Sequence, residues 1–193
     1  RCRCEHELQQ ALDLSDHTPV IVDGLKAGTL PTRTSHNDTK VNNVLLDSCS
    51  DQAVCVIDLD TVMPGSSLYD FGDLVRSAGG QFEENTTDLD SIQLDLDRFR
   101  AIVDGYLTGI GGVLTDRERN LLPAAAFIMS YEVGIRFLTD YLEGDWYFRT
   151  THEDENLQRA RAQLRWARQL FDGQETMQRI SGNGTRPSQC GLA

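Results

Sequence analysis

The stretch His36-Asn37-Asp38-Thr39-Lys40-Val41-Asn42-Asn43, followed by Ile57-Asp58-Leu59-Asp60, carries the residue types that phosphoryl transfer to a hydroxyl requires. Moving a phosphoryl group asks a protein for positioning and charge compensation far more than for covalent chemistry. A carboxylate must orient the acceptor hydroxyl and take its proton, and Asp38 can do this. A cation, Lys40, can balance charge on the phosphoryl group in flight. An amide oxygen and a second carboxylate, Asn43 and Asp58, can hold Mg²⁺, a hard ion that prefers oxygen ligands. Each residue alone has an ordinary explanation. H-x-D is a common tripeptide, an Asp after an apolar run often ends a strand, and a lysine is normally solvated. Yet Lys40 is one of only two lysines in the chain, the other being Lys26. The specificity lies in the combination and its spacing.

Those residues need a frame that brings them to one place. Residues 41–46 and 53–59 are β-branched and apolar, and the turn-rich Asp47-Ser48-Cys49-Ser50-Asp51 separates them, which predicts a β-hairpin. A hairpin would bring Asn43 and Asp58 to the same end, as shared coordination of a metal requires. Elsewhere the period is helical. Short helices are predicted over 5–14 and 19–27, the second stopped by Gly28. Leu68, Phe71, Leu74 and Val75 share one face of a helix ending near Gly79-Gly80. A polar loop over 81–90 follows, then an amphipathic helix carrying Ile92, Leu96, Phe99, Ile102, Val103, Tyr106 and Leu107. Thr115 and Glu118 form a capping box opening a long helix to Leu142, with Gly144 as its stop and Pro123 either inside it or splitting it. A single charge-laced helix is predicted from Glu153 to about Ile180, and a flexible tail over 181–193. The expected fold class is α+β, a mostly α-helical lobe with one small catalytic-loop β-hairpin, spanning 1–180 as one unit.

Thirty acidic against eighteen basic residues give a net charge of −12 over 193 residues. That excludes the basic stripe of a sequence-independent nucleic-acid binder and a polybasic membrane anchor. No unbroken run of about 18 apolar residues is present, so no bilayer-spanning helix is expected. Five cysteines are too few and odd in number for a secreted disulfide scaffold. Together with the lack of an apolar leader, this gives cytoplasmic localisation as the expectation. Cys2, Cys4 and His6 lack a second ligand pair at zinc spacing.

With these residues in view, the chain resembles the C-terminal lobe of the aminoglycoside phosphotransferase and choline kinase superfamily, whose catalytic loop reads H-x-D-x-x-x-x-N and whose metal strand ends in I-D-x-[DE]. More narrowly, it resembles bacterial N-acetylhexosamine 1-kinases. The runs Val56-Ile57-Asp58-Leu59-Asp60-Thr61-Val62-Met63-Pro64-Gly65, Leu68-Tyr69-Asp70-Phe71-Gly72-Asp73 and Arg136-Phe137-Leu138-Thr139-Asp140-Tyr141-Leu142-Glu143-Gly144-Asp145-Trp146-Tyr147-Phe148 carry it. The resemblance implies a protein-kinase-like fold and transfer of the γ-phosphoryl group of ATP to the anomeric hydroxyl of N-acetylglucosamine or N-acetylgalactosamine. It implies Asp38 as base, Mg²⁺ on Asn43 and Asp58, and Arg136 and Tyr147 as sugar contacts beside Asp38. ATP, Mg²⁺ and an amino sugar are thus the expected cofactors and partners. Arg136 could equally pair with Glu132 or Asp140 at helical spacing, and Tyr147 could simply pack between Trp146 and Phe148. Asp70 and Asp73 are expected to be structural, holding the catalytic loop or capping a helix. Asp70-Phe71-Gly72 spells D-F-G, but the metal Asp should follow Asn43 closely on the hairpin, as Asp58 does. His36 is expected to be a structural hydrogen-bonding residue.

The chain departs from the pattern at its front. About thirty-five residues precede His36, and they contain no Gly-rich phosphate loop and no strand with a suitable lysine. The expectation is that the N-terminal nucleotide lobe lies outside this chain and that residues 1–193 alone have negligible affinity for Mg-ATP and little or no turnover. Two further readings stay open: a kinase for another acceptor (an aminoglycoside, choline or homoserine), for which Asp140, Glu143, Asp145, Trp146 and Tyr147 could cage a cation, and a non-catalytic binding module.

Overall fold

A computed structural model describes residues 3–183. The chain opens with α1 (Glu5–Ser15) and α2 (Val20–Lys26), the latter followed by Gly28 at φ +67, a left-handed turn that glycine enters without a Cβ clash. β1 (Arg33–Ser35) leads into the loop carrying His36 to Lys40, then a 3₁₀ turn (Val41–Asn43), β2 (Val44–Leu46) and β3 (Ala53–Val56). A second 3₁₀ turn (Leu59–Thr61) and β4 (Met63–Gly65) precede α3 (Ser67–Ala78), α4 (Leu96–Gly109), α5 (Asp116–Glu143), α6 (Glu155–Asp172) and α7 (Gln174–Asn183). The fold is α+β and mostly helical, as expected.

The expected hairpin forms, with Val44 opposite Val56, Leu45 opposite Cys55 and Leu46 opposite Ala53. It is shorter than the apolar runs suggest, because Asn43 N–H closes a tight turn onto the Lys40 carbonyl (2.9 Å). One further bond, Ile57 N–H to the Asn43 carbonyl (2.9 Å), carries the pairing past the ladder and sets Asn43 and Asp58 at the same end. A second sheet has no local signal in the sequence. β1 pairs antiparallel with β4, Arg33 opposite Gly65 and Ser35 opposite Met63. The catalytic-loop segment therefore enters along one strand of a pair, and the segment after Asp58 leaves along the other.

The helices supply the rigid base. α5 packs against α3, α6 and α7. Its start is the reciprocal cap of Thr115 and Glu118, and its end is Gly144 at φ +105. Pro123 is buried inside it without ending it. By length and composition α5 could cross a bilayer, which counting unbroken apolar runs does not reveal, but 56% of its apolar window is buried within the fold. Phe71, Phe99, Phe127, Leu122 and Trp166 are fully buried at the junction of α3, α4, α5 and α6. Each such side chain is worth about 1.5–3 kcal/mol, whereas every residue of β3 is exposed. Stability therefore resides in the helices, and the hairpin is carried by them. The helix expected over 153–180 is two helices, divided at Gly173. A Cβ there would strike Leu94, and α7 turns back at that point to pack on α4 and α5. Ser181 to Asn183, expected in the tail, complete α7; the tail's remaining residues, 184–193, lie outside the described residues.

Candidate active site

Asp38 stands in the loop between β1 and the Val41–Asn43 turn. Its Oδ2 accepts hydrogen bonds from Lys40 Nζ (2.8 Å) and Asn43 Nδ2 (2.9 Å). The buried Asn43 amide also donates to the Asp38 carbonyl (2.8 Å), so one side chain fixes both the backbone and the carboxylate. Burial opposes ionisation of Asp38, but the Lys40 and Asn43 hydrogen bonds and the Lys40 charge outweigh it and hold the carboxyl below its ordinary value. Asp38 is thus ionised at neutral pH, the state in which a carboxylate can accept a hydroxyl proton.

The loop takes its shape from α3. Asp70, in the first turn, accepts the backbone N–H groups of His36 (3.0 Å) and Asn37 (2.8 Å), and the Thr39 hydroxyl donates to the Asp70 carbonyl (2.6 Å). Asn37 adopts φ +63, which asparagine tolerates better than most residues, while its Nδ2 donates to the Ser35 and Thr61 carbonyls (3.2 and 3.0 Å). The His36 ring meets the Ile57 carbonyl through Nε2 (3.1 Å), and its own carbonyl accepts from the Thr61 hydroxyl (2.6 Å). His36 thereby ties the loop to the residue before Asp58, a structural part. Asp70 also holds the loop. Asp73 does neither of the things expected of it: Ser66 caps α3, and the Asp73 carboxylate pairs instead with Arg76 Nε (2.7 Å) and faces a cavity.

The donor set for a divalent cation is made of hard oxygens. With Nδ2 of Asn43 committed to Asp38, its Oδ1 is the atom available as a ligand. Asp58 is exposed at φ +62, and its carboxylate has no hydrogen-bond partner among the described residues. Among those residues no group of three His, Cys, Asp or Glu side chains could hold a metal by itself. Two oxygen ligands, completed by water and phosphate oxygens, fit Mg²⁺, which is seldom held by a full protein cage.

Beside Asp38 and Lys40 opens a cavity of about 800 Å³. One stripe from each of three helices walls it: Asp73, Arg76 and Ser77 of α3; Met129, Glu132, Val133, Arg136 and Phe137 of α5; Arg159 and Gln163 of α6. Two loops close the sides, with Phe82, Glu83 and Glu84 from one and Tyr147, Phe148 and Arg149 from the other. Arg136 reaches Glu132 (3.7 Å), donates to the Tyr147 hydroxyl (3.4 Å), and lies over the Tyr147 and Phe148 rings at 5.6 and 5.4 Å. Arg136 and Tyr147 therefore meet on one wall of the same cavity as Asp38. Of the two carboxylates at helical spacing from Arg136, only Glu132 pairs with it. Asp140 instead accepts the Tyr147 and Phe148 N–H groups (2.8 and 2.9 Å) and Asn156 Nδ2 (2.9 Å), pinning the turn that presents Tyr147. Burial pushes the Asp140 carboxyl up, but these donors outweigh it and leave it below its ordinary value.

A family model of the phosphotransferase enzyme family matches residues 3–104, more than half of the chain, from ahead of α1 into α4. The chain belongs to the phosphotransferase enzyme family. The matched part of this phosphotransferase holds the whole loop of Asp38, Lys40 and Asn43, the hairpin with Asp58, and the Asp70 cradle. Helices α5 and α6 and the loop between them, which bring Arg136, Arg159, Gln163 and Tyr147 to the cavity, follow it in sequence.

Reasoning from sequence passed over Asp73, Arg76, Glu132, Arg159 and Gln163 as site residues. A signal exists for Asp73, Arg76, Arg159 and Gln163, which fall on the inward stripes of their helices, where a core would call for an apolar side chain; Glu132 is exposed and carries none. Charged and amide residues on an inward stripe are costly unless they are paired or face a cavity.

Proposed function

We propose that this phosphotransferase transfers the γ-phosphoryl group of ATP to the anomeric hydroxyl of an N-acetylhexosamine, N-acetylglucosamine or N-acetylgalactosamine, giving the sugar 1-phosphate. The observation that carries this reading is the Asp38 carboxylate, fixed by Lys40 and Asn43 at the edge of a cavity whose other wall bears Arg136 and Tyr147. The acceptor hydroxyl would donate to Asp38, which takes its proton as the oxygen attacks phosphorus. Lys40 sits where it can offset charge on the phosphoryl oxygens. Asn43 and Asp58 would hold Mg²⁺, which when bound neutralises charge on the nucleotide phosphates.

The cavity's own chemistry supports an uncharged polyol as acceptor. Asp38, Asp73, Glu83, Glu84 and Glu132 on its walls are matched by Lys40, Arg76, Arg136, Arg149 and Arg159. The lining itself has no excess of carboxylates to pair with the ammonium groups of a polycationic aminoglycoside. Nor is there an open aromatic cage for choline, because the Arg136 guanidinium already covers the Tyr147 and Phe148 rings. Sugar hydroxyls, which both donate and accept, suit a wall of alternating charge.

The test is Mg²⁺-dependent ADP release from the longest reading frame containing this chain, with N-acetylglucosamine, N-acetylgalactosamine, kanamycin and choline as acceptors. Release is expected with an N-acetylhexosamine and should fall by about 10²–10⁴-fold in Asp38→Asn, the contribution typical of a positioned base. Release with kanamycin or choline alone would overturn the acceptor assignment. Release undiminished in Asp38→Asn would overturn the base.

A further inference from the structure

Buried polar side-chain atoms without a partner are uncommon in folded proteins, and each one calls for an explanation. Two of those among the described residues belong to side chains that line the cavity beside Asp38: Asp73 Oδ2 and Gln163 Oε1. Asp73 is 5% and Gln163 2% exposed, so bulk water does not solvate them. Arg76 Nε binds the other Asp73 oxygen at 2.7 Å, which orients the carboxylate and leaves Oδ2 bare. Arg159 is held from both sides by the Arg149 carbonyl (3.1 Å), Asn156 Oδ1 (3.2 Å) and Glu155 Oε1 (2.7 Å). It stands one helical turn from Gln163 on α6. These side chains are fixed, Arg159 Nε also facing Glu84 at 4.0 Å, and all of them border one cavity.

Asp73 Oδ2 and Gln163 Oε1 are acceptors, so the occupant that completes them must present donors. A phosphate or carboxylate group offers none, and Asp73 would repel it. A hydroxyl donates to an acceptor and can still accept from a neighbouring guanidinium, which is what Arg76 and Arg159 supply beside the two acceptors. The hydroxyl that receives the phosphoryl group must lie at Asp38, so the hydroxyls that complete Asp73 and Gln163 belong to the rest of the acceptor.

We propose that Asp73 and Gln163 are specificity-determining residues of the acceptor pocket, each accepting a hydrogen bond from a hydroxyl of a bound polyol other than the one phosphorylated. This rests on the reading of the cavity as a polyol acceptor site, and it names the residues that recognise the acceptor. A site built to bind a hydroxyl discriminates strongly against an analogue lacking it, because its polar groups are then left buried and unpaired.

Direct binding of N-acetylglucosamine and its 3-, 4- and 6-deoxy analogues to the chain, by calorimetry, tests this without nucleotide. KM and kcat in the ADP-release assay give the second readout. The variants are Gln163→Met, which keeps shape and removes the acceptor, and Asp73→Asn, each shown by circular dichroism and urea unfolding to be folded. Each variant is expected to weaken sugar binding by about ten- to a hundredfold. KM should rise, kcat should change little, and the loss should vanish for the one analogue that lacks the hydroxyl that residue binds. Unchanged affinity in both folded variants, as would follow if ordered water alone completed these atoms, overturns the inference and leaves the sugar-kinase reading standing. Equal losses for every analogue also overturn it. Phosphorylation of a different polyol with KM raised in Gln163→Met upholds the inference while overturning the N-acetylhexosamine assignment. Failure of the folded chain to bind or phosphorylate any polyol overturns both.

Discussion

Asp38 shows how three neighbours can define a base. Alone, a partly buried carboxylate would be harder to ionise; with Lys40 and Asn43 on one oxygen it is ionised and aimed. The same logic applies to Arg136, whose guanidinium is shared between Glu132, the Tyr147 hydroxyl and two aromatic faces. That arrangement needs a planar, forked cation, and a lysine cannot reproduce it. Arg136→Lys is therefore expected to raise KM for the sugar about tenfold with little change in kcat, measured by steady-state ADP release. An equal fall in kcat would instead place Arg136 at the transferring phosphoryl group. The types and spacing of Asp38, Lys40, Asn43 and Asp58 were legible in the sequence because they lie close along the chain, on a loop and a hairpin. Asp73 and Gln163 carry only the weaker sign of a polar residue on an inward helical stripe, and that sign does not say whether the residue is paired in a core or faces a cavity.

At the level of elements, the Thr115–Glu118 cap does more than begin a helix. The Glu118 carboxylate, fully buried, also receives Arg33 Nε and Nη2 (both 2.9 Å), which anchors β1, and with it the entry to the catalytic loop, on the start of α5. Arg33 donates in addition to the Val113 carbonyl (2.8 Å). Burial pushes the Glu118 carboxyl up, but the Arg33 bonds and the Thr115 donors outweigh it and hold it below its ordinary value. A carboxyl depressed in the folded state stabilises the protein above its unfolded value, about 4.3, and that contribution is lost as pH falls through the folded value. Glu118→Gln should accordingly cost about 2–3 kcal/mol at pH 7, between an exposed pair and a fully buried one. The gap from wild type should be full above about pH 4.3 and narrow progressively as pH falls below it, toward the depressed folded value. Urea unfolding of both proteins from pH 3 to 8 checks this, and a gap independent of pH would show that packing, not charge, links β1 to α5. The cap itself could be read from Thr115 and Glu118. The third member, Arg33, arrives from a distant part of the chain and carries no local sign of its partner.

Across the whole molecule, the cavity exists because α3, α5 and α6 approach closely. Gly72 is where α3 meets α5: a Cβ there would collide with the Ala125 carbonyl oxygen and stand 2.5 Å from Met129 Cγ. Met129 itself lines the cavity, so separating these helices would widen the site as well as loosen the core. Gly72→Ala is expected to destabilise the fold by about 1–3 kcal/mol, as overpacking does, and to weaken sugar binding with it. A urea midpoint at or above that of wild type would show that α3 and α5 are not in contact at this point. The sequence by itself determined the short-range features: the H-x-D-x-K-x-x-N loop, the hairpin that follows it, and the amphipathic periods with their caps. These depend on backbone preferences and side-chain periodicity within a turn or two. Only the tertiary structure decided that β1 pairs with β4, that α6 and α7 part at Gly173, and that the polar residues on three inward stripes face one another across a shared cavity. Such outcomes are fixed by which long-range contacts bury the most apolar surface while leaving the fewest polar groups unpaired, a balance struck over the whole chain at once.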